Sequence, residues 1–306
     1  MEATKPLVSI IMNCFNGEKY LYEAIKSIVN QTYVNWELIF WDNQSTDGSA
    51  QIVNSFRDER IKYFFSDVFT DLGGARHRAC THVNGDYLAI LDVDDFWHPE
   101  KLENQLELFK DPSTGICISN TIFFNSKKKS ILYSKDPPTG YVTENLIENY
   151  YISLESILLK MEYVKELNIF FDSRFSHIAD FDLLTRLSTI CQLVYCPQIL
   201  SGWRIHNENA SFRENEKFII EKLKWISCYK NSELFANYQR SINNLEIYLK
   251  AESPYLKLSN EKLKLSDFFK YSGSLKSKIM IIISFFPCLY KLVRLFKKIL
   301  FKIRWS

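Results

Sequence analysis

The chain has 306 residues, 46% of them hydrophobic and 15% aromatic, which excludes a disordered protein and leaves room for one large domain plus an appendage. Its 38 Lys and Arg against 36 Asp and Glu give a formal net charge of only +2, so no global basic excess marks it as a nucleic-acid binder. Seven cysteines, an odd number with no C-x-x-C pair and no signal peptide ahead of them, point to reduced thiols in a cytoplasmic setting.

In chain order, the stretch from Val8 to Asn16 predicts a buried strand running into a turn. Tyr20 to Val29 carries Leu21, Ile25 and Ile28 at helical spacing. Trp36-Glu37-Leu38-Ile39-Phe40-Trp41-Asp42 reads as a second strand with Asp42 at its C-terminal end, followed by a polar turn in which Ser45, Thr46 and Asp47 are candidate helix caps. Ile61 to Phe65 reads as a third strand, ahead of Leu72-Gly73-Gly74-Ala75-Arg76-His77. Tyr87 to Leu91 is a fourth. Strand and helix alternate, which predicts an α/β fold with a mainly parallel, doubly wound sheet.

The fourth strand ends in Asp92-Val93-Asp94-Asp95, followed by Phe96-Trp97-His98-Pro99 and a helix that Pro99 is expected to begin. Strand ends of this polarity are where open α/β sheets bind ligands. Two carboxylates at i and i+2 repel one another unless a cation or hydroxyl donors share the charge. Mn²⁺ or Mg²⁺, held by one or two carboxylates together with substrate phosphates, is the natural occupant; a solvated acidic turn capping the next helix is the plainer alternative. Gly73-Gly74 lacks the G-x-G-x-x-G context of a dinucleotide site and reads instead as room for close backbone approach beside Arg76. No G-x-x-x-x-G-K-[ST] is present.

Four ordered segments, "VSIIMNCFN", "DNQSTDGS", "LGGARHRA" and "GDYLAILDVDDFWHPEKLENQ", resemble the family 2 glycosyltransferases of GT-A fold, over residues 5 to 210. Asn13 stands where that family usually has Pro, Asn43 where a second acid is common, and His77 where Asn is common. The resemblance implies an inverting enzyme that moves a sugar from a nucleotide-diphosphate donor, a UDP-sugar, to a hydroxyl of a glycan or lipid-linked acceptor in surface polysaccharide synthesis. It also implies that Phe15, Asn16, Asp42 and Arg76 contact the nucleotide. Asp42 could accept the N3–H of a uracil, Arg76 could donate to a carbonyl or phosphate, and Phe15 could lie against the base. Asp92 would hold the ribose hydroxyls and Asp94 the metal that bridges the diphosphate, while Asp95 would reach a sugar hydroxyl or cap the following helix.

"HIADFDLLTRL" matches the family's acceptor-side segment and puts Asp180 at the position of the general base, with Asp182 as the substitute and Ala179 replacing a usual Glu. "WRIHNENAS" resembles the segment that closes such catalytic domains. There Trp203 would stack on a sugar, Arg204 would face the diphosphate and His206 would complete the metal shell. A non-catalytic nucleotide-sugar-binding or scaffold module is the alternative, and the joint presence of Asp92, Asp94 and Asp180 counts against it.

The expected organisation is a catalytic domain over 1–212, a helical extension over 213–275 and a basic amphipathic tail over 276–306. That tail holds eight Lys or Arg and no acid, leaving −6 for the remainder. Ile279 to Tyr290 is only twelve uncharged residues, short of the roughly 20 that span a bilayer. Leu289 to Trp305, with Leu, Phe and Ile among cations, fits a helix lying in the membrane interface, which places the protein peripherally on the inner face of the cell membrane.

Overall fold

The computed structural model describes residues 5–209, 213–252, 269–286, 290, 292, 293, 295 and 296. Ser211 and most of the stretch from Leu289 to Trp305 lie outside the described residues. The chain divides into two compact units. The first comprises 1–124, 129–142 and 151–205; the second comprises 125–128, 143–150 and 206–306.

The first unit is built on one sheet. Its strands are β1 (Val8–Cys14), β2 (Trp36–Asp42), β3 (Ile61–Phe65), β4 (Tyr87–Ile90), β5 (Phe96–Trp97), β6 (Thr114–Phe124), β7 (Lys129–Ile131), β8 (Ile157–Lys160) and β9 (Gln192–Arg204). They run in the order β3-β2-β1-β4-β8-β6-β9-β5, with β7 paired to β6. β3, β2, β1 and β4 are mutually parallel, as the strand–helix alternation predicts. Beyond β4 the sheet is mixed rather than mainly parallel: β8 is antiparallel to both β4 and β6, β6 and β9 are parallel, and β5 is antiparallel to β9. The reason is the connection after β4, which is an acidic turn and the short strand β5 instead of another crossover helix.

The helices of this unit are α1 (Glu18–Val29), α2 (Ser49–Ser55), α3 (Leu72–Ala79), α4 (Lys101–Leu106), α6 (Met161–Glu166) and α7 (Ala179–Leu187); α5 (Thr143–Glu148) belongs to the second unit. Every residue of β1 and β2 is buried, as expected for parallel strands covered on both faces. Val8, Ile10, Met12 and Cys14 pack with Leu21, Ala24, Ile25 and Ile28 of α1. Alternation puts Ser9, Ile11 and Asn13 on the opposite face, where α3 packs. The register pairs Cys14 with Asp42 and Ile11 with Ile90, so the turns after β1, β2 and β4 emerge along one edge.

Two local details differ from the sequence expectation. Helix α4 begins at Lys101, two residues after Pro99. Of the three caps expected before α2, only Asp47 serves that helix, accepting the Ser49 amide and hydroxyl at 3.0 and 2.6 Å. Ser45 and Thr46 are drawn off to the β1 turn: the Asn16 amide donates to Ser45 Oγ (2.9 Å), and Asn16 Oδ1 accepts the Thr46 amide (2.8 Å). Asn16 takes the left-handed conformation (φ 54°) that Asn tolerates better than most residues.

The second unit contains α5, α8 (Asn215–Tyr229), α9 (Gln239–Glu252) and α10 (Leu275–Ser284). Ser241 and Asn244 of α9 both donate to Glu148 of α5, at 3.1 and 2.7 Å. Ala251, Tyr271 and Ile281 form a small core that ties α10 to α9. No helix among the described residues is long and apolar enough to cross a membrane.

Gly73 is where α3 meets the segment ahead of α7: a Cβ there would lie 2.1 Å from the Phe175 carbonyl oxygen. Gly73→Ala should therefore cost about 1–3 kcal/mol by overpacking, seen as a lower midpoint in chemical denaturation. The Gly74→Ala variant, whose Cβ first meets the Thr70 side chain at 3.0 Å, should cost less.

Candidate active site

The edge formed by the β1, β2 and β4 turns gathers most of the residues singled out in the sequence. Asp42 ends β2 almost fully buried, accepting the Ser45 amide on one oxygen and the Tyr63 hydroxyl on the other, both at 2.7 Å. Burial, then the hydrogen bond to Asp42, pushes the Tyr63 phenol up, so it is a donor throughout the neutral range. Two lone pairs of the Asp42 carboxylate remain for a further donor. Asn43, which replaces the family's second acid, accepts from and donates to the Thr70 backbone and so holds the loop after β3.

That loop delivers a residue that the sequence reading missed. Phe69 meets Phe15 edge-to-face with ring centroids 4.8 Å apart, and both rings are 52% exposed. Two large apolar rings are thus held together at the surface. The only signal of Phe69 in the sequence was the aromatic richness of Phe64-Phe65-Ser66-Asp67-Val68-Phe69.

Arg76 leaves α3 on the same face as the turn after β4 and donates through Nη2 to both Asp92 oxygens, at 2.9 and 3.2 Å. The guanidinium is 5% exposed and its Nε is buried without a hydrogen-bond partner. Asn13, also buried, has neither amide atom hydrogen-bonded. Buried polar atoms left unmade cost about 1–3 kcal/mol each, so this face of the edge is under-satisfied as it stands.

The acids are crowded. Burial first, then the charges of Asp94 and Asp180, push the Asp92 carboxyl up, with Arg76 opposing. Asp180 therefore lies within electrostatic reach of the acidic turn. Burial, then Asp94, Glu155 and Asp92, hold Asp95 well above the usual carboxylate range. Asp95 does not cap α4: its Oδ1 accepts the Arg204 amide at 2.8 Å, across to β9. Arg204 returns the contact, with Nε donating to the Asp94 carbonyl (2.8 Å) and Nη2 pairing with Glu23. So Arg204 braces the backbone of the acidic turn. Trp203 packs edge-to-face on Phe123 at 4.9 Å and is partly exposed.

Glu155 is a second residue that the sequence reading missed. It is buried in the 3-10 turn Leu154–Ser156 ahead of β8, with its carboxylate accepting the Ser153 hydroxyl at 2.6 Å, and burial pushes it up to about 7. A lone Glu inside Tyr151-Ile152-Ser153-Leu154-Glu155-Ser156-Ile157-Leu158-Leu159 was the available signal.

Asp180 is half-buried in the first turn of α7. Asp182 is fully buried and locked by Arg186, which donates to it through Nε and Nη2 (2.6 Å) and also holds the Ile169 and Phe170 carbonyls. Asp182 is thus committed to joining α7 to the preceding segment, and the substitute-base reading does not fit it.

His206 belongs to the second unit. Its Nδ1 accepts the Glu208 amide at 3.2 Å and its Nε2 lies 3.3 Å from Asn209 Nδ2. Among the described residues no three His, Cys, Asp or Glu side chains are assembled that could hold a metal by themselves. The mutual repulsion of Asp92, Asp94 and Asp95 nevertheless suits a cation, provided that it brings further oxygen ligands.

Comparison with known proteins fits this geometry. The glycosyl transferase family 2 model matches residues 9–178, and the chain belongs to that family. An uncharacterised glycosyltransferase of Haemophilus influenzae is 34% identical over 163 residues, 52% of this chain and 64% of that protein. The Escherichia coli UDP-Glc:alpha-D-GlcNAc-diphosphoundecaprenol beta-1,3-glucosyltransferase WfgD is 29% identical over 221 residues, 72% of this chain and 84% of its own length. Among solved structures, the mannosyltransferase PcManGT from Pyrobaculum calidifontis, in complex with GDP-Man and Mn²⁺, superposes with a TM-score of 0.61 at 17% identity. That match covers 96% of this chain and 84% of PcManGT. The fold is therefore GT-A, and the protein is a glycosyltransferase.

The raised Glu155 has a checkable consequence. A carboxyl held up in the folded state favours folding while protonated, and that contribution is lost as pH rises from the unfolded value of 4.5 through about 7. Glu155→Gln should remove this part of the pH dependence. In urea titrations the variant should gain stability relative to the parent between pH 5 and 8, and a constant difference across that range would contradict the assignment.

Proposed function

We propose that the protein is an inverting transferase. It moves a sugar from a UDP-sugar to a hydroxyl of a lipid-linked or glycan acceptor in the assembly of a surface polysaccharide. The observation that carries this reading is the gathering of Asp42, Arg76, Asp92 and Asp94 along one edge of the sheet, at the ends of parallel strands, with Arg76 paired to Asp92. Asp180 adds to the charge that bears on Asp92. WfgD, by its name, uses UDP-Glc and a diphosphoundecaprenol-linked acceptor, which supports the donor and acceptor classes.

On this reading Phe15 and Phe69 clamp the base and Asp42 accepts the uracil N3–H on a free lone pair. Asn16 fixes the turn that presents Phe15. Arg76, already on Asp92, donates from its unused nitrogen to the nucleotide, while Asp92 receives the ribose hydroxyls. Asp95 and Arg204 hold the turn that aims Asp94 at the diphosphate, and Trp203 offers a face to a sugar. Mn²⁺ or Mg²⁺ on Asp94 would neutralise charge on the departing diphosphate. PcManGT, whose structure is in complex with GDP-Man and Mn²⁺, supports that assignment.

Asp180 deprotonates the acceptor hydroxyl as that oxygen attacks the anomeric carbon opposite the leaving UDP. One displacement with one base inverts the anomeric centre, so an α-linked donor gives a β-linked product. The catalytic domain spans 1–212, and the 213–275 extension and 276–306 tail bring it to the inner face of the cell membrane. Ile279, Ile282, Phe286, Leu292, Leu295 and Phe296 are exposed apolar side chains in that basic tail, which supports the membrane role.

Two variants test the proposal. Asp180→Asn should lower transfer by about 10²–10⁴-fold with donor affinity unchanged, because the amide keeps the shape but cannot take the proton. Transfer at the parental rate would reject Asp180 as the base. Phe69→Ala should raise the KM for the UDP-sugar by about three- to tenfold with kcat unchanged, reflecting roughly 1 kcal/mol of lost aromatic contact. An unchanged KM would remove Phe69 from the donor site.

A further inference from the structure

The sequence sets two opposite charges end to end. Residues 206–306 contain nineteen Lys or Arg against nine Asp or Glu, a formal +10, whereas residues 1–205 sum to −8. Part of that positive charge is organised. Within the second unit a cavity of about 640 Å³ takes cations from Lys230, Arg240, Lys250 and Lys270, with Glu246 the one acid among its described lining residues. The volume is that of an ordinary ligand site, but the walls are not apolar. Ile247 is the only hydrophobic residue among those described, and the others are Asn and Ser.

The cations are held in place by the fold. Glu246 accepts from Lys230 (2.5 Å) and Lys250 (2.9 Å), which fixes both ammonium groups against α9 and still leaves the trio at +1. Arg240 Nε donates to Ser272 Oγ at 2.9 Å. Ser272 is itself fixed by its amide, which donates to Asn244 Oδ1 (3.1 Å), and Asn244 Nδ2 donates to Glu148 (2.7 Å). This chain of bonds orients the guanidinium. Its Nη groups and the Lys270 ammonium make no ion pair among the described residues.

Arg240, Asn243, Asn244, Ile247 and Lys250 recur at three- and four-residue steps, so they share one face of α9. From Arg240 to Lys250 that face is about 15 Å long. A single phosphate reaches only part of such a row, whereas two linked phosphates can engage both the guanidinium fork and the lysines.

We propose that this cavity binds a diphosphate group, free or carried on a lipid. The site is separate from the donor edge, and it stands or falls independently of the transferase reading. With the full chain in EDTA, inorganic pyrophosphate should raise the melting temperature above that in chloride of equal ionic strength, because a ligand of the native state stabilises it. Arg240→Ala/Lys270→Ala should abolish that rise, and Asp94→Ala should retain it. Lys270→Glu alone, at an exposed side chain, should weaken it and covers the case in which the double variant does not fold.

Vesicles distinguish the source of the ligand. Preferential sedimentation with vesicles containing a polyprenyl diphosphate over phosphatidylglycerol vesicles of equal charge, lost in the double variant, assigns the site to a lipid-borne diphosphate. No preference, with the pyrophosphate effect intact, assigns it to a free one. A pyrophosphate effect that survives in the double variant, disappears in Asp94→Ala or is absent from the parent overturns the proposal.

Discussion

The turn from Asp92 to Asp95 concentrates negative charge at the end of a buried strand, and much of the first unit serves to hold it there. Left alone, three carboxylates in four residues would repel and unravel the turn. Arg76 meets Asp92 from α3, and Arg204 grips the Asp94 carbonyl and offers its amide to Asp95 from β9. The Arg204 amide does not relieve Asp95, whose carboxyl stays far above the usual carboxylate range. The fold thus holds three carboxyl groups together at a fixed place, where burial disfavours the charged forms of Asp92 and Asp95 unless a cation shares the charge.

The same constraint explains the packing around the edge. Arg76 can reach Asp92 only if α3 lies close to the sheet and to the segment leading to α7. Gly73 permits that approach by leaving no Cβ against the Phe175 carbonyl. The Asp182–Arg186 pair then closes the segment at 169–170 onto α7, fixing the helix whose first turn carries Asp180. The Arg76–Asp92 pair and the first turn of α7 are therefore parts of one packed assembly, and a change at Gly73 should be felt at both.

The parallel core was legible in the sequence. The strands starting at Val8, Trp36 and Ile61 were all legible, and the first two most plainly, because strands buried on both faces are written as continuous apolar runs. The structure places Asp42 and the Asp92–Asp95 turn at the C-terminal ends of these parallel strands, the end where open α/β sheets bind ligands. The mixed half of the sheet was not legible, because nothing local distinguishes a strand entering antiparallel, as β8 does, from one entering parallel. Phe69 and Glu155 were missed for a related reason. Each acquires its meaning from a partner far away in the chain, Phe15 for the first and the acidic turn for the second. Ser45 and Thr46 did not become caps, and of the two alternatives for Asp95 the capping one falls away, because helix capping is a local habit and here longer-range hydrogen bonds outcompete it.

The central claim is that the acidic turn is a half-site, completed by the diphosphate of the donor. Manganese binding followed by electron paramagnetic resonance tests it most directly. With no three protein ligands assembled among the described residues, the full chain should bind Mn²⁺ weakly alone and strongly once UDP is added. Tight Mn²⁺ binding without nucleotide, or none in its presence, would contradict the account.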